Sequence, residues 1–229
     1  MKRRKSKIVK FLEIEEINEF EKPLLDKAKK AIANSNKTIE DRIAIRDFTL
    51  VNLVYACALR ISEACNLTLN YLDLIKKQLY VIDGKGGDRL VPIPEPVVKN
   101  LKLWLEIRPK WENNNYVFTN IKGTTRPNKE GKFENNKPLT MKYYNKLFNE
   151  LSEKSGVTLK SGEKVHPHTL RHSRAMAIYD NGVDLEVLQA FLGHKEISTT
   201  QVYARVRDER VIEAQQKVLG GIGRLWVIV

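Results

Sequence analysis

The sequence predicts an α+β fold, mostly α-helical with a small antiparallel β-sheet. Three observations lead there. Apolar residues recur at helical spacing along most of the chain. Only one stretch alternates apolar and polar residues, and it does so on both sides of a glycine-rich tip, the pattern of a β-hairpin. The chain has 229 residues, 42% hydrophobic and 30% charged, which suits one large domain with its own core.

The elements follow in order. Residues 13–34 carry Ile14, Ile17, Phe20, Leu24 and Leu25 at helical spacing, and Pro23 is expected to kink or divide that helix. Residues 38–58 place Ile43, Ile45, Phe48, Leu50, Val51, Leu53, Val54 and Ala58 around most of a helix surface, so this helix should be central. Ser62 reads as the N-cap of a short helix, Glu63 to Leu67. Gln78–Asp83 and Arg89–Pro94 form the hairpin strands, with Gly84-Lys85-Gly86-Gly87-Asp88 between them. A helix at 96–107 has Val97, Leu101, Trp104 and Leu105 on its apolar stripe, and Tyr116–Thr119 reads as a short strand. Residues 122–137 are polar, rich in Gly, Asn and Lys, and predict a mobile loop. Helices are expected at about 140–154, 168–180, 184–192 and 198–216, with Thr140 and Asp184 as caps and Gly156, Gly182 and Gly193 as helix-ending glycines. Residues 11–217 make the main domain. Residues 1–10 form a basic arm or linker, and 218–229 an apolar tail.

The net charge of +12 and the isoelectric point near 9.6 point to a polyanionic partner, most often nucleic acid. Cys57 and Cys65 sit in apolar helical context without a CxxC or Cys/His cluster, which argues against structural zinc and for buried thiols in a reducing compartment. The expected location is therefore a reducing compartment, the cytoplasm. There is no run of 18 apolar residues, so no membrane partner is expected. The basic start lacks the apolar stretch of a secretory signal.

The chemistry-bearing residues lie in separate clusters. Arg60-Ile61-Ser62-Glu63 comes first, then Lys85 in the hairpin tip, then His168-Thr169-Leu170-Arg171-His172, then Leu192-Gly193-His194, and finally Tyr203. A phenol to attack, two guanidiniums to hold a phosphate and imidazoles to move protons are what phosphodiester cleavage without a metal requires. Taken alone, Arg60 and Glu63 at i and i+3 would read as a surface ion pair, and Tyr203 as a core tyrosine. No Asp/Glu cluster or Walker loop accompanies these groups, so neither a metal nor another cofactor is expected.

These motifs, in this order and over residues 11–210, resemble the catalytic domain of the tyrosine recombinases, the phage integrase and Xer family. The resemblance implies that Arg60 and Arg171 bind the scissile phosphate and that Tyr203 becomes a 3′-phosphotyrosine. It further implies that His168 takes the phenol proton, Lys85 protonates the departing 5′ oxygen and His194 bonds a phosphate oxygen. Glu63 would orient Arg60 or His168, and His172 would pack or hydrogen-bond in support. Lys122, Lys129, Lys132 and Lys137, with the basic segment 2–10, would neutralise DNA phosphates. The resemblance implies a site-specific recombinase or integrase. A type IB topoisomerase-like DNA relaxation activity and an inactive DNA-binding regulator of the same fold stay open beside it. Family members usually carry a further N-terminal core-binding domain; it is expected to be absent from residues 1–229, the chain being either a fragment of a longer enzyme or a minimal form, and the resemblance implies a bacterial, archaeal or phage-infected host. Leu225, Trp226, Val227, Ile228 and Val229 are too apolar to stay exposed, so the tail should dock on its own domain or join neighbouring copies into a homotetramer on DNA.

Overall fold

A computed structural model describes residues 10–82, 87–109, 114–121, 137–193 and 200. The described residues are mostly α-helical with one three-stranded antiparallel sheet, as the periodicity predicts.

The centre is α2, Ile39–Ala56. Thr38 starts it: its Oγ1 accepts from the Asp41 backbone N–H at 3.1 Å, and Asp41 Oδ2 accepts from the Thr38 N–H at 2.9 Å. This reciprocal cap satisfies two helix-end donors. Every residue from Ile45 to Ala56 is buried, so α2 is enclosed on all sides over that stretch. The first helix, α1 (Ile14–Ala33), packs along it and buries Ile17, Phe20, Leu24 and Leu25. It runs unbroken through Pro23, contrary to the division expected there. Phe20 below the proline and Leu24 and Leu25 above it are all buried, and this shared burial outweighs one lost backbone bond.

The end of α2 aims the chain at the site. Ala58 follows it with φ +46°, a left-handed position where glycine is usual. Ala58 N–H bonds the Tyr55 carbonyl and Leu59 N–H bonds the Val54 carbonyl, each at 3.1 Å, closing the helix end. The strained backbone is retained with a methyl group because that methyl is buried with Ala175, Met176, Leu188 and Leu192. Helix α3 then spans Ile61–Asn66. Its cap residue is Arg60, not Ser62, because the Glu63 carboxylate accepts from the Arg60 backbone N–H at 2.8 Å while Ser62 lies exposed.

The sheet has the order β1 (Leu72–Asp73), β2 (Gln78–Val81), β3 (Arg89–Pro92). The hairpin is the predicted one, with Leu79 opposite Val91 and Val81 opposite Arg89. The two-residue β1 was not anticipated, being too short to show alternation. Leu79, Val81 and Val91 point into the core. Helix α4 (Glu95–Ile107) packs on α2, with Trp104 fully enclosed and its indole N–H donating to the Val117 carbonyl at 2.8 Å. Tyr116–Thr119 is not a strand. It makes isolated bridges, Tyr116 to Thr68 and Thr119 to Pro138, because its partners lie on two different segments.

Three more helices complete the described fold: α5 (Met141–Ser155), α6 (Pro167–Asp180) and α7 (Leu185–Leu192). Thr140 caps α5, accepting from the Tyr143 N–H at 3.3 Å. Asp184 stands at the cap position of α7 without a side-chain bond to it. Gly156, Gly182 and Gly193 all have positive φ just beyond helix ends, as expected. Residues 122–136 of the expected loop at 122–137, the C-terminal tail and, except for the buried helical residue Thr200, the expected helix 198–216 lie outside the described residues. No helix among the described residues is long and apolar enough to cross a membrane.

Candidate active site

One carboxylate organises the site. Glu63 reaches back from the first turn of α3, and its side chain is 5% exposed. Arg60 Nη1 donates to Glu63 Oε1 at 2.7 Å. Arg89, from the start of β3, grips the same carboxylate with both prongs, Nη1 to Oε1 at 3.0 Å and Nη2 to Oε2 at 2.8 Å. Arg171, from α6, brings Nη1 within 3.7 Å of Oε2. Burial alone would raise the Glu63 pKa. The Arg89 hydrogen bonds and charge, with the Arg60 backbone and side-chain donors, overcome it and hold the carboxyl below its usual range. Three guanidiniums thus surround one carboxylate, and the cluster keeps an excess of positive charge.

The arginines are fixed from several elements at once. Arg171 is 3% exposed, with Nη1 donating to the Ala58 carbonyl at 2.7 Å and Nη2 to the Leu192 carbonyl at 2.5 Å. The left-handed turn at Ala58 and the end of α7 are therefore tied to α6 by one side chain. Arg60 is the most open of the three, at 19% side-chain exposure, and its Nη2 lies 3.5 Å from the Gly193 carbonyl. It faces a groove of about 330 Å³ lined by Ser62, Asn66, Tyr71 and Tyr80 among others. The surface ion pair that Arg60 and Glu63 would make in isolation is present, but as one edge of a buried network.

His168 stands one turn before Arg171 on α6 and keeps an exposed surface. Burial, then the charges of Arg171 and Arg60, and then His166, lower its pKa, which places it within electrostatic reach of both arginines. A neutral imidazole is the form able to accept a proton. His172, a turn after His168, is more deeply enclosed, and burial followed by the charges of His168 and Arg171 pushes its pKa down to about 4. His166 stands just outside α6 at its N-cap, ahead of Pro167.

His172 makes acid stability testable. Its folded pKa is depressed, so the unfolded chain binds the extra proton between about pH 6.5 and 4. The stability it contributes is complete above that window and is lost as pH falls through it, by about 3 kcal/mol in total. Urea unfolding at stepped pH should show this slope, and His172→Leu should flatten it.

Arg60, Glu63, His168, Arg171 and His172 are brought together from two distant segments. Lys137 is exposed, beside the Thr119–Pro138 bridge. Lys85, Lys122, Lys129, Lys132, His194 and Tyr203 lie outside the described residues. Arg89 was missed. Strand alternation places it on the same face as Val91 and Ile93, and a guanidinium on an inward face demands a buried partner. Cys57 and Cys65 are buried free thiols, pushed up by burial to about 12 and about 11. Among the described residues, no three His, Cys, Asp or Glu side chains are grouped as a metal ion would need.

This helix-and-hairpin arrangement is that of tyrosine recombinase catalytic domains. The model of the phage integrase family matches residues 2–210, and the chain belongs to that family. The tyrosine recombinase XerA of Pyrococcus furiosus is 36% identical over 174 residues, 76% of this chain and 54% of the relative. A tyrosine recombinase of Thermosipho africanus is 37% identical over 177 residues, again 76% of this chain and 54% of the relative. The chain thus spans about half the length of the curated relatives it matches. Among solved structures, a XerA recombinase superimposes with a TM-score of 0.66 at 25% identity, covering 90% of this chain and 64% of the other. A XerH site-specific recombinase bound to its difH substrate, a pre-cleavage complex, gives 0.65 at 25% identity, covering 94% and 54%.

Proposed function

We propose that the chain is the catalytic part of a site-specific DNA recombinase that cuts and rejoins strands through a 3′-phosphotyrosine. The observation that carries this reading is the convergence of Arg60 and Arg171 on Glu63 beside His168, whose pKa lies below its ordinary value. Charge gathers on the nonbridging oxygens as a phosphodiester is attacked, and fixed guanidiniums lower that barrier. Tyr203 Oη attacks phosphorus, its proton passes to His168, the bond to the 5′ oxygen breaks, and Lys85 protonates that oxygen. His194 holds a nonbridging oxygen. A 5′ hydroxyl from another strand reverses the steps, so bond energy is conserved and no nucleotide triphosphate is consumed.

Double-stranded DNA is the partner that the +12 charge and the family support. Lys122, Lys129, Lys132, Lys137 and the basic segment 2–10 neutralise its phosphates, so binding weakens steeply with salt. The apolar residues 225–229 join protomers into a tetramer on the DNA, and the protein works in the cytoplasm. The test is a pool of nicked duplexes incubated with the chain in a chelator and resolved under denaturing conditions. A covalent protein–DNA adduct supports the reading. Binding without any adduct overturns it in favour of a regulator that keeps the fold and lacks the chemistry.

A further inference from the structure

The cleavage reading leaves Arg89 without a role, yet Arg89 is held at all three of its nitrogens. It is 7% exposed. Both its Nη atoms are spent on the two oxygens of Glu63, and its Nε donates to the Phe191 carbonyl at 3.1 Å. Its aliphatic stem lies against Gly193: a Cβ there would come within 2.9 Å of Arg89 Cδ and 3.0 Å of Nη1. Gly193 also has φ +64°, so the glycine serves both the helix end and the space for this arginine. One guanidinium therefore joins the hairpin strand, α3 and the last turn of α7.

The geometry points to Arg89 as a positioning residue for strand cleavage, one that holds Glu63 so that Arg60 is aimed at the scissile phosphate. The reasoning is one of hydrogen-bond supply. A carboxylate facing one arginine closes a two-pronged pair with it. Here each Glu63 oxygen already accepts from Arg89, so Arg60 is tethered through Nη1 alone, and its Nη2 is directed past Glu63 toward the Gly193 corner. Without Arg89, Glu63 can turn and engage both prongs of Arg60, withdrawing them from an anion. Arg89 also sets the Phe191-Leu192-Gly193 backbone, whose Leu192 carbonyl receives Arg171.

This inference rests on the cleavage reading, and its test separates the two. Single-turnover adduct formation is measured at saturating DNA on the duplex that reacts best with the unsubstituted chain, with affinity titrated separately. The same duplex is then used with a neutral methylphosphonate at the scissile linkage, which removes the charge that Arg60 neutralises. Arg89→Ala should slow cleavage of the phosphodiester about tenfold or more while affinity changes by less than about threefold. The loss should shrink on the methylphosphonate, and Arg89→Lys should recover part of the rate. An equal loss on both linkages, a rate within about threefold of the unsubstituted chain, or a lysine variant no better than alanine overturns the assignment. If Arg89→Ala fails to fold, Arg89→Lys alone decides by the same comparison of linkages. An unsubstituted chain that forms no adduct sinks the cleavage reading itself, a different outcome from variants that match a reactive parent.

Discussion

Arg171→Ala is expected to abolish measurable strand cleavage and to destabilise the fold by about 3 kcal/mol or more. Both effects come from the same atoms. The guanidinium donates to the carbonyls of Ala58 and Leu192, and leaving two buried carbonyls unsatisfied costs about 1–3 kcal/mol each. It also contributes charge beside Glu63 and lowers the pKa of His168. Its removal takes away a phosphate ligand, loosens the turn that presents Arg60 and lets His168 protonate more readily. A charge-assisted bond of about 1.5–3 kcal/mol corresponds to at least a tenfold loss of rate, before the loss of alignment is added. Arg171→Lys should keep the charge without bridging both carbonyls and fall between the two. Urea unfolding and single-turnover cleavage check the two halves. An alanine variant as stable as the parent would mean that the carbonyl bonds contribute nothing.

Glu63→Ala is the second large effect. It leaves Arg60, Arg89 and Arg171 facing one another without their shared counter-charge, and breaking a buried pair in this way costs about 3–5 kcal/mol. The Arg60 backbone N–H loses its acceptor as well, so α3 loses its cap. Cleavage should fall at least about tenfold although the phosphate ligand Arg60 remains, because the ligand is no longer aimed. The folded Glu63 pKa is depressed, so its contribution is present above the ordinary carboxylate value and disappears as pH falls through the folded one. Glu63→Gln keeps the shape and one set of acceptors, and should lie between parent and alanine in urea unfolding. An alanine variant that is stable and cuts normally would show that the carboxylate organises nothing.

Much of this was readable from the chain alone, for definite reasons. Burial from Ile45 to Ala56 follows from apolar residues placed all around a helix, and the hairpin register follows from alternation on both sides of a glycine tip. Arg60, Glu63 and Arg171 were identified as site residues from their motifs, and the structure brings them to one carboxylate. What escaped depends on long-range partners. The role of Arg89 is set by Glu63 twenty-six residues away, and that of Ala58 by Arg171 at a separation of 113. Ser62 looked like a cap because serine usually caps, but a glutamate three residues after Arg60 supplies the acceptor instead. Tyr116–Thr119 has the residues of a strand and lacks a single partner to pair with. Pro23 suggested a break, which the buried residues on either side of it prevent.

The central claim is that this chain severs DNA by making Tyr203 the covalent carrier of the phosphate. The most direct measurement is digestion of the trapped adduct and mass spectrometry of the nucleotide-bearing peptide, with Tyr203→Phe run in parallel. The account predicts a phosphorylated linkage on the tyrosine of Gln201-Val202-Tyr203 and no adduct from the phenylalanine variant. A DNA-linked peptide from elsewhere in the chain, or an undiminished adduct from Tyr203→Phe, would contradict it.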